Sequence, residues 1–250
     1  MHPLKKFVLC RVLGKQYVHF LHINKTGGTA IKTAIGGHTV TSNTAIELHH
    51  HSTTLRDIPN GEKVVFCLRD PVSRFVSAFN HRLRKGQPRK YLPWTAREAE
   101  AFQQFPTPNQ LGLALSADST AIKQQAELAM QRILHVNTSY WQWFENEDYF
   151  TPRIDDVLLL GFQETLAQDF EQLKHLIKLP NRLQLPTHAL DTNKAPDTTD
   201  RYLEPEAIRN RGRTTSVNYG WLLVPNSDQW CRVPCWCQEH GWATAGDWVA

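Results

Sequence analysis

Two short segments of this chain concentrate groups suited to holding phosphate. In Lys25-Thr26-Gly27-Gly28-Thr29 the glycines let successive backbone N–H groups converge on an anion. A helix starting there adds the positive end of its dipole, and Lys25 adds a full charge. The nucleotide triphosphatase loop is excluded by residue order, because it requires Gly, four residues and then Gly-Lys-Ser/Thr, whereas here the lysine precedes the glycines. Taken alone, the same composition also suits an ordinary strand-to-helix turn.

The second segment is Arg69-Asp70-Pro71-Val72-Ser73-Arg74-Phe75-Val76-Ser77. A helix here places Val72, Phe75, Val76, Phe79 and Leu83 on one face and turns Arg74, Ser77 and His81 to the other, at ~100° per residue. Arg69 ends the preceding strand with a guanidinium fork suited to bidentate phosphate contact, and Ser77 brings a hydroxyl about two turns along. The rival arrangement pairs Arg69 with Asp70 and leaves Ser77 in solvent. Between the two segments stand His49, His50 and His51, whose imidazoles are poised near neutral pH to take a proton. In an extended segment His49 and His51 share one face. A zinc site is not expected at the triplet, since adjacent histidines without a nearby carboxylate or cysteine pattern lack ligand spacing.

These groups need strands and helices to position them. Tyr17 to Ile23 reads as a buried strand followed by a helix over Thr29 to Ile35. Lys63 to Leu68 is a second strand, and Asp70 with Pro71 makes a good helix start: an aspartate cap and a proline at the first helical position. A third unit runs from the strand Asp156 to Phe162 into a helix over Glu164 to Leu179. Between the second and third units lies a helical insert, roughly Arg97 to Phe144, punctuated by Pro106, Pro108 and the turn at Ser116 to Ser119. Pro180 to Asp200 reads as a long functional loop. Three strand-to-helix units predict an α/β layered fold with a mainly parallel sheet.

The chain's 250 residues, 41% hydrophobic and 21% charged, suit one domain with a sizeable core. No apolar stretch is long enough for a membrane span, and Met1 to Lys6 does not open a leader. Five cysteines, with Cys10 and Cys67 inside apolar runs, suggest a reducing compartment, so a soluble cytoplasmic protein is expected. A net charge of +4 does not argue for a nucleic-acid partner.

Together the segments resemble the sulfotransferases related to Golgi carbohydrate enzymes, including the heparan sulfate 2-O-sulfotransferases, and especially their soluble bacterial relatives. His22-Ile23-Asn24-Lys25-Thr26-Gly27-Gly28-Thr29 is similar to that family's 5′-phosphosulfate loop, HIPKTGGT, with Asn24 replacing the proline, and Arg69 to Ser77 matches its 3′-phosphate motif, RDPxxRxxS. The resemblance covers roughly Tyr17 to Arg209. It implies a P-loop-like three-layer fold and a co-substrate, 3′-phosphoadenosine 5′-phosphosulfate. Lys25, Thr26, Gly27, Gly28, Thr29 and Ala30 would hold its 5′-phosphosulfate, and Arg69 and Ser77 its 3′-phosphate. Lys25 would also stabilise the leaving group. His51 is the implied base, because the 2-O-sulfotransferases carry a His-x-His pair at this place and use the second histidine; Glu47 is the reserve base, because some sulfotransferases use a glutamate. Asn193-Lys194 sits where relatives carry a closing loop. The chemistry is positioning plus electrostatics, and no metal is required.

The implied acceptor is a hydroxyl, on a glycan or glycolipid. Arg82, Arg84, Lys85, Arg89, Lys90 and Arg97 occur with no acidic residue among them and could line a path for an anionic acceptor, or simply be a solvated basic helix end. Tyr140, Trp141 and Trp143 could stack on a ring, although such aromatics are more often core. The sulfotransferase domain is expected over residues 1–210. The tract 211–250 departs from it, holding five of the eight tryptophans with Cys231, Cys235 and Cys237; a reading-frame change or a lineage-specific tail produces such a shift. Its CxxxCxC spacing with His240 is not a usual zinc knuckle pair. Two other functions fit the same residues: a catalytically inactive nucleotide- and glycan-binding protein, and a phosphotransferase with a variant phosphate loop.

Overall fold

The computed structural model describes residues 8–188, 195–196 and 199–210. The Asn193-Lys194 loop and the 211–250 tract lie outside them. After a short wide helix, α1 (Val8–Val12), four strands form one parallel sheet: β1 (Gln16–Leu21), β2 (Thr44–Leu48), β3 (Lys63–Leu68) and β4 (Val157–Phe162), in the order β2-β1-β3-β4. The segment Ala45 to Leu48, which shows only an apolar stretch in the sequence, is thus an edge strand, with Val18 opposite Ile46.

Alternation along the strands gives the sheet two apolar faces, and each has its cover. Val18, Phe20, Val65 and Cys67 pack under α2 (Gly28–Ile35) and α9 (Leu166–Ile177), through Ile31, Ile35, Phe170 and Leu173. Leu21, Val64 and Phe66 face Tyr140, Trp143, Phe144 and Phe150 from α7 (Trp141–Phe144), α8 (Glu147–Phe150) and the residue before them. The result is the α/β three-layer arrangement expected from the sequence.

The amphipathic α3 (Pro71–Leu83) begins as its sequence dictates: the Asp70 carboxylate accepts from Ser73 N–H at 2.6 Å and Pro71 occupies the first turn. Its Phe75 and Phe79 pack against the insert helices α4 (Ala96–Gln104), α5 (Pro108–Ala114) and α6 (Thr120–Arg132). Residues 205–210 form a further helical turn, in which Asn210 Nδ2 donates to Gly112 O at 3.1 Å.

All four strands are parallel, so their carboxyl ends share one side of the sheet. There the chain leaves β1 toward Lys25, β2 toward the histidines, β3 at Arg69 and β4 at Gln163. Strand order reverses between β1 and β3, the place where open α/β sheets take their ligands.

Candidate functional site

The turn after β1 is shaped by two residues in the left-handed region, Lys25 at φ 66° and Gly27 at φ 85°, and Gly27 precedes the first residue of α2. Gly27 has no side chain with which to cap the helix, so the first N–H groups of α2 are left facing the cleft. The Thr26 side chain cannot serve a ligand: it is 1% exposed, and its Oγ1 donates to Ile23 O at 3.0 Å, which fixes the turn. A Cβ at Gly27 would meet Leu166 Cδ2 at 2.8 Å, and one at Gly28 would meet His22 Cδ2 at 2.4 Å. The cradle therefore sits directly on the His22 ring. Gly28→Ala is expected to lower folding stability by about 1–3 kcal/mol through overpacking, read as a fall in the denaturant midpoint at unchanged slope.

Arg69 crosses toward this loop. Its Nε donates to Ser73 Oγ at 2.8 Å and its Nη1 to Lys25 O at 3.4 Å, while Tyr140 Oη accepts from Arg69 N–H and donates to Arg69 O at 3.0 and 2.7 Å. The pairing with Asp70 does not form, because the Asp70 carboxylate is engaged as the cap of α3. Ser77 lines the same cleft as Arg69, as does His81. Arg74, expected on the same polar face, is instead 1% exposed. Its Nε donates to Asn24 O at 3.0 Å and its Nη1 to Thr138 O at 2.7 Å, with the guanidinium 4.5 Å from the Tyr140 ring centre. The second arginine of the motif thus ties the phosphate loop to the helical insert.

The histidine triplet lies just past the end of β2, where the chain turns. His51 lies in a turn and lines the cleft; its Nδ1 is 3.0 Å from His22 O and its ring lies 3.8 Å from the His22 ring. A carbonyl only accepts, so Nδ1 carries the proton in the neutral ring and Nε2 keeps its lone pair. Burial foremost holds its pKa below the usual range, so that lone pair is present near neutral pH. Trp143 Nε1 donates to His51 O at 3.0 Å and fixes the turn from below.

His49 does not share the cleft face with His51, because the strand ends at Leu48. Its Nε2 is 2.7 Å from His19 Nδ1, and His19 Nε2 is 2.6 Å from Glu62 Oε2. Glu47, the reserve base, accepts from Tyr17 Oη at 2.6 Å and also lies outside the cleft lining. The triplet therefore does have carboxylates nearby, contrary to the sequence expectation.

The cleft, of about 860 Å³, gathers Lys25, the glycine loop, Ala30, Arg69, Ser77 and His51. Its lining is mainly cationic, with Asp70 and Glu164 as its carboxylates. Burial, reinforced by Arg69, Arg84 and Arg74, lowers the Lys25 pKa to about 7. Burial, with Lys25 the next cause, lowers His81 to about 3 and His135 to about 4. Among the described residues, the buried atoms His81 Nδ1 and Arg84 Nη1 have no hydrogen-bond partner. His135, 3.2 Å from Asn24 Nδ2, and His22 carry no strong local pattern beyond the motif's own histidine, so sequence reasoning assigned neither a role.

Parts of the basic segment and the aromatic set serve the scaffold. Arg82 is 3% exposed and paired with Glu98 at 2.7 Å, so it cannot line an acceptor path. Lys85 stands 4.5 Å over the Trp94 ring, whereas Arg89 and Lys90 are exposed. Tyr140 and Trp143 are core residues of the sheet's second face. Among the described residues, no helix is long and apolar enough to cross a membrane. Comparison with known proteins gives one family model, described as Sulfotransferase family, which matches residues 8–215. No curated protein and no solved structure matches the chain significantly.

Proposed function

Because the chain belongs to the sulfotransferase family, whose reaction is sulfuryl transfer, we propose that it moves the sulfuryl group of 3′-phosphoadenosine 5′-phosphosulfate onto a carbohydrate hydroxyl. One observation carries this reading: Lys25 with its glycine loop, Arg69 with Ser77, and His51 leave three different strands and meet at a single cleft. The catalytic domain spans 1–210, with 211–250 a separate tract. The buried thiol of Cys67 favours a reducing, cytoplasmic setting.

In this account the 5′-phosphosulfate lies on the amides of Gly27 to Thr29, with Ala30, whose N–H donates to Gly27 O at 2.9 Å, lining the cleft beside it, and the 3′-phosphate lies between Arg69 and Ser77. His51 Nε2 takes the acceptor's hydroxyl proton as the oxygen attacks sulfur. The bond from sulfur to the bridging oxygen breaks, and its electron pair becomes negative charge on the departing 5′-phosphate beside Lys25. Donors already aimed at that charge need no reorganisation during the step. The account uses no metal. Arg84, whose charge acts on Lys25, and Arg89, whose charge acts on His22 and Lys32, favour an anionic acceptor.

Label transfer from ³⁵S-donor to a panel of neutral and acidic glycans tests this reading. Incorporation into an acidic glycan is expected, and nucleotide binding without transfer to any acceptor would favour the inactive binding protein. The phosphotransferase alternative loses its ground to the family match and the absence of the triphosphatase loop order.

A pH dependence follows from Lys25. With a pKa of about 7 in the free protein, it is increasingly neutral above that value. A bound polyanion favours the charged form and raises this pKa, so binding takes up a proton. Donor affinity is therefore expected to be flat below about pH 7 and to fall up to tenfold per unit above it. Calorimetry at pH 8 in buffers of different ionisation heat should show proton uptake, and Lys25→Met should remove most of it.

A further inference from the structure

A second constellation lies outside the cleft, at the carboxyl ends of β1 and β2. His19 and Glu47 face each other across the strand pair, and His49 follows at the end of β2. One ligating atom from each lies within 4.8 Å of the others. The imidazoles of His19 and His49 are stacked at 7° with their Nδ1 and Nε2 atoms 2.7 Å apart. His19 is 3% exposed, and its far nitrogen is 2.6 Å from Glu62 Oε2.

Chemistry fixes the protons. A carboxylate only accepts, so in the neutral ring His19 Nε2 carries the hydrogen and His19 Nδ1 presents a lone pair. A carboxylate behind the outer nitrogen of a histidine is the arrangement that orients metal-ligating imidazoles and raises their basicity. Glu47 is held in the same way, accepting from Tyr17 Oη at 2.6 Å. The only hydrogen between the two rings is then the one on His49 Nε2, and moving it to His49 Nδ1 frees a second lone pair without changing charge. Two carboxylates, one as ligand and one behind a ligand, bring negative charge to the site.

We propose that His19 Nδ1, His49 Nε2 and the Glu47 carboxylate bind a divalent transition-metal ion of the zinc class, with water completing a tetrahedron. Two histidines and a carboxylate are an established zinc donor set. At Zn–N distances of about 2.0–2.1 Å the two nitrogens must separate to ~3.3 Å. His49 is only half-buried, so its ring can supply that small shift. The ion would cross-link β1 and β2 two residues before His51, with Lys32 Nζ holding His49 O at 2.8 Å from the other side. None of the three ligands lines the cleft, so the inference stands apart from the transfer reading.

The test is titration of the tag-free, chelator-treated full chain with Co²⁺ and Zn²⁺. One ion per chain is expected, with the visible absorption of a tetrahedral cobalt site lacking thiolate charge-transfer bands, and a higher thermal midpoint. His49→Ala should abolish binding, and Glu47→Gln, which keeps the side-chain shape, should weaken it at least tenfold. Glu62→Gln should weaken it about 10–100-fold. The exposed neighbour variant, His50→Ala, should bind as wild type. Absence of saturable binding, equal loss in His50→Ala and His49→Ala, or a thiolate spectrum unchanged by Glu47→Gln would each overturn the proposal, the last by assigning the ion to the cysteines of the 211–250 tract.

Discussion

Replacing Lys25 with methionine is expected to slow sulfuryl transfer by about 10²–10³ at saturating donor, the scale seen when one preorganised donor at a developing charge is removed. Methionine keeps the length and the left-handed backbone at φ 66°, so the strain of that turn is common to both proteins. What disappears is the cation beside the leaving phosphate. The protein by itself already disfavours that cation, since burial and Arg69 lower its pKa to about 7. Its charge is thus favoured when the donor's negative charge arrives, and single-turnover rates should show the loss even where binding is complete. An unchanged single-turnover rate would move the leaving-group role elsewhere.

His51→Ala is expected to cost about 10²–10⁴ in transfer, the usual worth of a positioned general base. Affinity for 3′-phosphoadenosine 5′-phosphate should change little, because His51 makes its hydrogen bonds to His22 O and from Trp143 and is not part of the glycine loop. Added imidazole should restore part of the rate. This pairing of lost turnover with retained binding separates an enzyme from an inactive nucleotide-binding protein. Equal turnover in wild type and variant would remove His51 as the base.

Much of this arrangement was legible in the sequence because it is local. Hydrophobic period marks β3 and α3, and Asp70 with Pro71 marks the helix start, since both signals act within one turn of chain. The glycine loop was legible because backbone amides at a helix start need no tertiary partner to be aimed. Tertiary partners hid the rest. Arg74 shares the helix face of Ser77 by angle, yet the Asn24 and Thr138 carbonyls draw it into the interior. Arg82 looks like a solvated basic residue until Glu98, which completes the capping box of α4 with Thr95, closes over it. The separation of His49 from His51 depends on where β2 ends, and an edge strand of five residues leaves a weak pattern. His19 and Glu62 could not be joined to His49 from spacing alone, because strand pairing brings them together across 30 and 43 residues.

The most direct measurement is the thermal shift of the protein with 3′-phosphoadenosine 5′-phosphate, set beside adenosine 5′-phosphate and the Arg69→Ala variant. A ligand of the native state at a hundredfold excess over its Kd adds about 2.7 kcal/mol of apparent stability. The account predicts a clear shift with the 3′-phosphorylated nucleotide, a much smaller one without the 3′-phosphate, and loss of that difference in Arg69→Ala. Equal shifts with both nucleotides, or a shift only with ATP and magnesium, would contradict the assignment of Arg69 and Ser77 to a 3′-phosphate and with it the proposed donor.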